Sequence, residues 1–439
     1  MRNCRKFQMA LAIASTAFVL PVHALDLMQT YQEALAHDAI YTSARYSLEA
    51  GREASVQGRA GLLPRIGFGG TYNRANDESS GWSATLKNYS LQLTQPLFRP
   101  ANWEQYEQSK LSVAGSDAQF AQAQQDLMLR VSQAYFDVLS AQDALAFLKA
   151  QEGAISEQLA SAKRNFDVGT ATITDTNEAQ ASYDLVIAQQ IAAANNLEVA
   201  RSTLQKIIGR APAPLSTLRA GVKLNAPEPP QISAWENSAE QQNPSVVAQQ
   251  IALESAKHEI KRVRAGHLPT LDLVAGRGLN STKGTPIFYE NISQWSNSIG
   301  VQWNIPLYSG GSVNSEVRQA VSLEDKARSD LDNAQQTAAL NARQAFLGVN
   351  SGLAQVKAYE TAEVSSLSSL DANKLGYQVG VRINIDVLNA QQQLFSTRQN
   401  LAKARYDTLM SGLKLKAAAG TLKEEDLQLV NLLLVPAVN

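Results

Sequence analysis

The sequence predicts an α+β fold of long antiparallel coiled-coil helices joined to two β-hairpins, four strands per chain. Three observations carry this expectation. The chain repeats itself, it contains two long proline-free tracts with a helical apolar seam, and four segments show period-two alternation.

The repeat sets the organisation. LLPR (62–65) matches HLPT (267–270), and LTQPLF (93–98) matches WNIPLY (303–308). SQAYFDVL (132–139) matches RQAFLGVN (343–350), and FDVGTATITDTNEAQ (166–180) matches YQVGVRINIDVLNAQ (377–391). Gly209 and Gly420 close the two copies, and the offset is constant from Ser132 onward. Insertions therefore fall mainly between Pro64 and Pro96, where loops absorb them. Internal duplication of this kind decides the architecture before any single motif does.

No proline occurs between Pro100 and Pro212, or between Pro306 and Pro436. Proline costs ~3 kcal/mol inside a helix, so these tracts permit long helices. Leu127, Val131, Ala134, Val138, Ala141, Leu145 and Leu148 recur at alternating spacings of four and three. Ala338, Ala342, Ala345, Val349, Gly352, Val356 and Tyr359 do the same in the second copy. That is a coiled-coil seam whose small residues let helices approach closely. A continuous helix from Ala101 to Lys163 reaches ~95 Å at ~1.5 Å per residue. Glycine turns break each tract at Gly169 and Gly380. Asp175, with Glu178 three residues on, reads as the N-cap and capping-box partner of the next helix. Each copy is thus expected to hold a shorter helix (27–62, 234–266), a β segment, a long helix, a turn and another helix (175–208, 386–418).

The β segments alternate. Ile299, Val301, Trp303 and Ile305 interleave with Gly300, Gln302 and Asn304, and Leu271, Leu273 and Ala275 with Asp272, Val274 and Gly276. Ile66, Phe68, Gly70 and Tyr72, then Tyr89, Leu91 and Leu93, form the first copy's pair. Such alternation fits transmembrane strands, although a soluble hairpin carries the same pattern. The polar stretches 76–85 and 279–294 are expected as exposed loops.

Residues 1–24 read as a secretory signal peptide: Arg2, Arg5 and Lys6, then an apolar run from Met9 to Leu20, then Val22-His23-Ala24. The one cysteine, Cys4, lies in that segment, so the mature chain has no disulfide, no thiol nucleophile and no thiolate metal ligand. The segment holds three of the 39 basic and none of the 40 acidic residues, leaving the mature chain at −4. Nucleic acid is therefore not an expected partner. After the leader, no apolar run is long enough for a membrane helix, so any span must be made of strands closed into a barrel. Four strands cannot close a bacterial barrel, so more than one chain must contribute. The remaining segments are a proline-rich linker, 210–233, between copies 25–209 and 234–420, and a C-terminal appendix, 421–439.

Over the whole mature chain, these motifs resemble the TolC family of outer-membrane efflux and secretion channels. The resemblance rests on LDLMQTYQEALAHD, LLPRIGFGGTY, LTQPLF, AYFDVL, FDVGTATITD, GHLPTLDL, PLYSGGSVNSEV, GYQVG with DVLNA, and NLAKARYDTLMSGLKLKAAAGTL. It implies an α+β membrane channel. Its long antiparallel coiled-coil helices form an α-barrel, continued by a transmembrane β-barrel with four strands per chain and closed by trimerisation. It also implies a place in the outer membrane with a periplasmic extension. The implied partners are a homotrimer, a periplasmic adaptor (membrane fusion protein), an inner-membrane ABC or proton-driven transporter, and outer-membrane lipid. The expected role is an exit duct for exported substrates, foremost in type I protein secretion, with multidrug efflux as the alternative.

The resemblance further implies a gate at the two glycine turns, Gly169 and Gly380. Carried over by position, Tyr377 and Arg382 would bond Thr174 and Asp175. Asp386 would point into the bore as a ring of three carboxylates favouring cations. The family's second acidic ring falls on Asn389 here, which implies milder cation selectivity. Asp175 and Asp386 also have a plainer reading as helix-start residues near a positive dipole end.

Catalysis has no support. GFGG (67–70) lies inside an alternating segment rather than before a helix, and no Gly-Lys-Ser/Thr loop, HExxH or nucleophile turn occurs. No cofactor or metal site is expected. The alternative of another class is a periplasmic coiled-coil adaptor or an adhesin, which the duplicated hairpins disfavour.

Overall fold

The computed structural model describes residues 24–79, 81–284 and 292–436; the leader expected over 1–24 lies outside this range apart from Ala24. In the first half come α1 (Leu27–His37), α2 (Ala39–Ala60), β1 (Arg65–Asp77), β2 (Trp82–Phe98), α3 (Pro100–Asp167) and α4 (Ile173–Ile208), then the short β3 (Thr217–Leu218). The second half repeats the order as α5 (Ile232–Gln242), α6 (Pro244–Arg264), β4 (Thr270–Lys283), β5 (Ile292–Asn304), α7 (Ser312–Gln378) and α8 (Asn384–Ala418). It ends on α9 (Glu424–Asn431) and β6 (Leu434–Val435).

The shorter helix expected in each copy is two helices. Asp38 and Asn243 leave the helical conformation, with ψ of 119° and 127°. Their side chains accept from the next helix's N–H groups, Asp38 from Tyr41 and Asn243 from Ser245. Asp and Asn satisfy donors at a helix start, so each breaks the run and restarts it. Asp38 is also held by Arg130 of α3 at 3.0 and 3.1 Å, and Asn243 Nδ2 donates to the Ala418 carbonyl. The breaks thereby dock the short helices onto α3 and α8.

At 68 and 67 residues, α3 and α7 run ~100 Å each. The seams predicted for them are packed: Leu127, Val131, Ala134 and Val138 are buried in α3, and Ala338, Ala342, Val349 and Val356 in α7. The main apolar core lies partway along the helices, where α1, α3, α4, α8 and α9 meet. There Tyr135 is fully buried and donates its hydroxyl to the Ser216 carbonyl at 2.7 Å. Burial pushes its phenol well above the usual range, so it stays a neutral donor. β3 pairs with β6, and Leu25 bridges to Leu215, so both ends of the described chain are tied to the linker at this level.

The strands β1-β2-β4-β5 form one antiparallel sheet. They run further than the alternation suggested. β1 and β2 stay paired to Asp77 opposite Trp82, and β4 reaches Lys283, so the loops are shorter than 76–85 and 279–294. Residues 285–291 of the second loop lie outside the described range. The register sorts the side chains. One face carries Ile66, Phe68, Tyr72, Tyr89, Leu91, Leu93, Leu273, Leu279, Trp295, Ile299, Val301 and Trp303. The other carries Gly67, Gly69, Thr71, Asn88, Ser90, Gln92, Gly276, Gly278, Asn280, Ser296, Ser298 and Gly300. Most of the large apolar side chains are exposed in the single chain, Ile299 by 80% and Phe68 by 74%.

Candidate functional site

The site of interest is the end of the helical body furthest from the sheet, where α3 turns into α4 and α7 into α8. Both turns solve the same backbone problem. Thr170 N–H donates to the Asn165 carbonyl and Gly169 N–H to that of Phe166; Val381 and Gly380 donate to Gly376 and Tyr377 in the same way. This is a Schellman stop, which requires a left-handed residue after the helix. Gly169 has φ +76° and Gly380 φ +80°. Apolar side chains stand out around them: Val168, Val379 and Val381 are 73%, 64% and 74% exposed.

The cap of α4 differs from the expected one. Its N-cap is Thr172, and Asp175 is the capping-box partner at the third helical position, not the cap itself. Thr172 N–H and hydroxyl both donate to Asp175 Oδ2, at 2.9 and 2.8 Å. The signature is the TITD run, which places a hydroxyl three residues before a carboxylate. In α8 the equivalent position is Ile383, which gives no side-chain cap.

The candidate latch residues gather at this tip. Tyr377 is half-buried, and its hydroxyl accepts from Asn165 Nδ2 at 3.3 Å. Arg382 is exposed and reaches Asp386 one turn along its own helix at 3.6 Å. Thr174 is exposed, Asp175 serves the cap just described, and Asn389 is exposed on α8. Asp386 lies in the first turn of α8, where the helix dipole favours a carboxylate. So, within one chain, Tyr377 ties α7 to α3, while the Arg382 and Asp175 side chains have partners on their own hairpins.

A contact the sequence reading missed joins the two hairpins directly. Asn384, the first residue of α8, is fully buried. Its Nδ2 donates to the Asp175 backbone carbonyl at 3.0 Å, and its Oδ1 accepts from Gln158 Nε2 of α3. The available signal was a break in the repeat, because the matched position in copy one is the exposed, apolar Ile173. Apolar packing surrounds this hub: Ile155, Leu159, Ala162, Ala179 and Val186 meet Leu388. Among the described residues no group of acidic, histidine or cysteine side chains could hold a metal ion. The arrangement can hold helix ends together or let them part.

Comparison with known proteins agrees with this geometry. Residues 30–210 and 235–421 each match the model of the family described as outer membrane efflux protein. The chain is 35% identical to outer membrane protein TolC of Escherichia coli (strain K12) over 419 residues, 92% of this chain and 84% of that protein. It is 33% identical to alkaline protease secretion protein AprF of Pseudomonas aeruginosa, covering 93% of this chain and 87% of that one. The solved CmeC outer membrane channel of Campylobacter jejuni superposes with a TM-score of 0.77 at 17% identity, over 93% of this chain and 90% of that one. By these matches the chain belongs to the outer membrane efflux protein family, the TolC-like exit ducts of the cell outer membrane.

Proposed function

We propose that three copies of this chain close one twelve-stranded transmembrane barrel, continued into the periplasm by a barrel of their helices. The observation that carries this reading is the sheet itself. It has an apolar face, a polar glycine-rich face, and two edges, β1 and β5, with no partner strand among the described residues. An open edge is not tolerated in hydrocarbon, and single-chain bacterial barrels start at eight strands. Pairing β1 of one copy with β5 of the next removes every edge. The apolar face then meets lipid and the polar face lines water.

In this reading the two copies, 25–209 and 234–420, are equivalent structural units. The linker 210–233 and the appendix, 421–439, as far as its described residues to Pro436, form the belt at mid-height. The tip holds the gate, with Tyr377, Arg382, Thr174 and Asp175 as latch residues and Asp386 and Asn389 at the constriction. The exposed valines there suit the helical tip of a periplasmic adaptor, behind which stands an inner-membrane ABC or proton-driven transporter. The duct performs no catalysis and needs no cofactor. The cargo is protein, by type I secretion, a reading supported by the relative named for alkaline protease secretion. The family's efflux description favours small toxic molecules as the second reading.

The test is export from cells lacking their own duct. Co-expression with a type I transporter and its adaptor should release that transporter's protein substrate into the medium. Retention of the substrate, with drug tolerance restored instead by a proton-driven pump, selects the second reading. Failure of both overturns the duct.

A further inference from the structure

The outward face of the sheet carries a pattern that pore formation does not use. Read from the helix end towards the loops, its rows begin apolar but for Gln95: Trp303 with Leu271; Val301 with Leu273 and Gln95; Ile299 with Ala275, Leu93 and Ile66. Arg277 follows, in the row of Asn297, Leu91 and Phe68. Next come Trp295, Leu279 and Tyr89, then Tyr72 and Lys87, then Arg74, Thr85 and Lys283. From Trp303 to Trp295 this spans about 20 Å of height, at about 3.4 Å per residue and a tilt of ~40°. Trp295, Tyr89 and Tyr72 therefore stand where an apolar band gives way to head groups, the usual place of an aromatic girdle.

Among the described strand residues, the four cations of this face lie in the half nearer the loops, and no Asp or Glu stands on it. Arg74 and Lys283 both pair with Thr85 from opposite sides, so their backbones stand two strand spacings apart, about 10 Å. Lys87 is diagonal to each at about 7–8 Å. The Lys87 ammonium sits 5.5 Å from the Tyr72 ring centroid. Arg277 starts lower, but its guanidinium lies 4.8 Å from the centroid of Trp295, one row closer to the loops. Its long side chain thus turns out of the apolar band towards the other three, as snorkelling side chains do. The rows at the helix end have no cation at all, so the arrangement is one-sided.

The geometry points to a lipid-binding site: Arg74, Lys87 and Lys283, with Arg277 beneath, hold the phosphate groups of a phosphorylated outer-leaflet lipid against the barrel wall. This rests on the reading of the sheet as membrane-spanning. Three cations on a triangle of this size match a head group bearing two phosphates, and basic residues near a membrane surface attract anionic lipid. The apolar rows below take the acyl chains.

The test uses the full-length protein purified in detergent and diphosphoryl lipid A as probe, with binding read by native mass spectrometry. Arg74→Ser, Lys87→Ser and Lys283→Ser combined should weaken retention by about ten-fold or more, with each single change giving a partial loss. Monophosphoryl lipid A should bind the unaltered protein less well, and Asn88→Ser with Gln92→Ser, on the opposite face, should bind like the unaltered protein. Undiminished binding by the triple variant overturns the site. Equal loss in the opposite-face variant does so too, as does full competition by soluble inositol hexakisphosphate, which would make the ligand a free polyphosphate. Single-channel conductance is recorded in parallel. A conducting protein whose triple variant keeps its lipid sinks this site alone, whereas no conduction in any form sinks the membrane reading with it.

Discussion

Asn384 donates to the backbone carbonyl of Asp175 at 3.0 Å, so the start of α8 is bonded to the first turn of α4 within a single chain. Asn384 itself is fully buried, and its side chain also reaches Gln158 on the long helix alongside. A buried amide of this kind is costly to leave unpaired, which ties the two hairpin tips in one arrangement.

Replacing Asn384 by Ile, the residue type at the matched position of copy one, removes both bonds and leaves the Gln158 amide without this partner. The loss is ~1–3 kcal/mol per unsatisfied group. Single-channel conductance should rise and the tip should become more sensitive to protease. Unchanged conductance and digestion would show that the hub is not part of the closure.

The Tyr377→Phe and Arg382→Ser double variant tests the latch residues. Phe keeps the ring but loses the hydroxyl that Asn165 donates to, and Ser removes the cation facing Asp386. A higher conductance is expected, and additivity with Asn384→Ile would mean that the two contacts hold the tip independently.

Ion selectivity should respond to the first turn of α8. Asp386→Asn is expected to lower the preference for cations, and Asn389→Asp to raise it, each read as a shift of reversal potential across a salt gradient. No shift for Asp386→Asn would remove that carboxylate from the bore and leave it as a helix-start residue.

Asp143 gives a pH prediction. Burial raises its carboxyl above the usual range, although the Tyr406 hydroxyl donates to it at 2.7 Å and opposes the rise. A raised folded-state value means the native fold binds this proton more readily than the unfolded chain does. Its contribution to stability is therefore most favourable below the ordinary carboxylate range and is lost as pH rises through the folded value. Asp143→Asn should thus raise the unfolding midpoint at neutral pH, with the gain shrinking in acid. A gain of the same size at both pH values would assign the effect to something other than this proton.

The sheet is anchored to the helices by Arg99 and Asp272, joined at 2.8 and 2.5 Å with Asp272 nearly buried. Arg99→Ala leaves that carboxylate without its counter-charge. Because Arg99 itself is partly exposed, the cost falls below that of a fully buried pair, about 2 kcal/mol. Thermal unfolding in detergent should report it, and Arg99→Lys should recover only part, lacking the two-pronged geometry.

Period and punctuation made much of the fold legible. The proline-free tracts and their four-and-three seams announced α3 and α7, and alternating residues announced four strands. The places that were hard to read are those where one side chain decides a local outcome. Asp38 and Asn243 split helices that periodicity ran together, because a polar cap competes with the helix it interrupts. Thr172 took the cap assigned to Asp175, since both satisfy the same motif and only the backbone distinguishes them. The strands outran their alternation because hydrogen bonding across β1 and β2 continues through the mostly polar stretch Asn73 to Asp77. At the tip, resemblance named residues that do gather there, but the buried Asn384 carried no motif. Only its mismatch with Ile173 marked it.

In the proposed barrel, the four strands of each chain are completed by strands of other copies of the same chain. The most direct measurement is the mass of the detergent-purified complex by light scattering, made on the sample whose conductance is recorded in a planar bilayer. Three chains in one conducting particle are expected. A stable single chain that forms no pore would rule out the shared barrel.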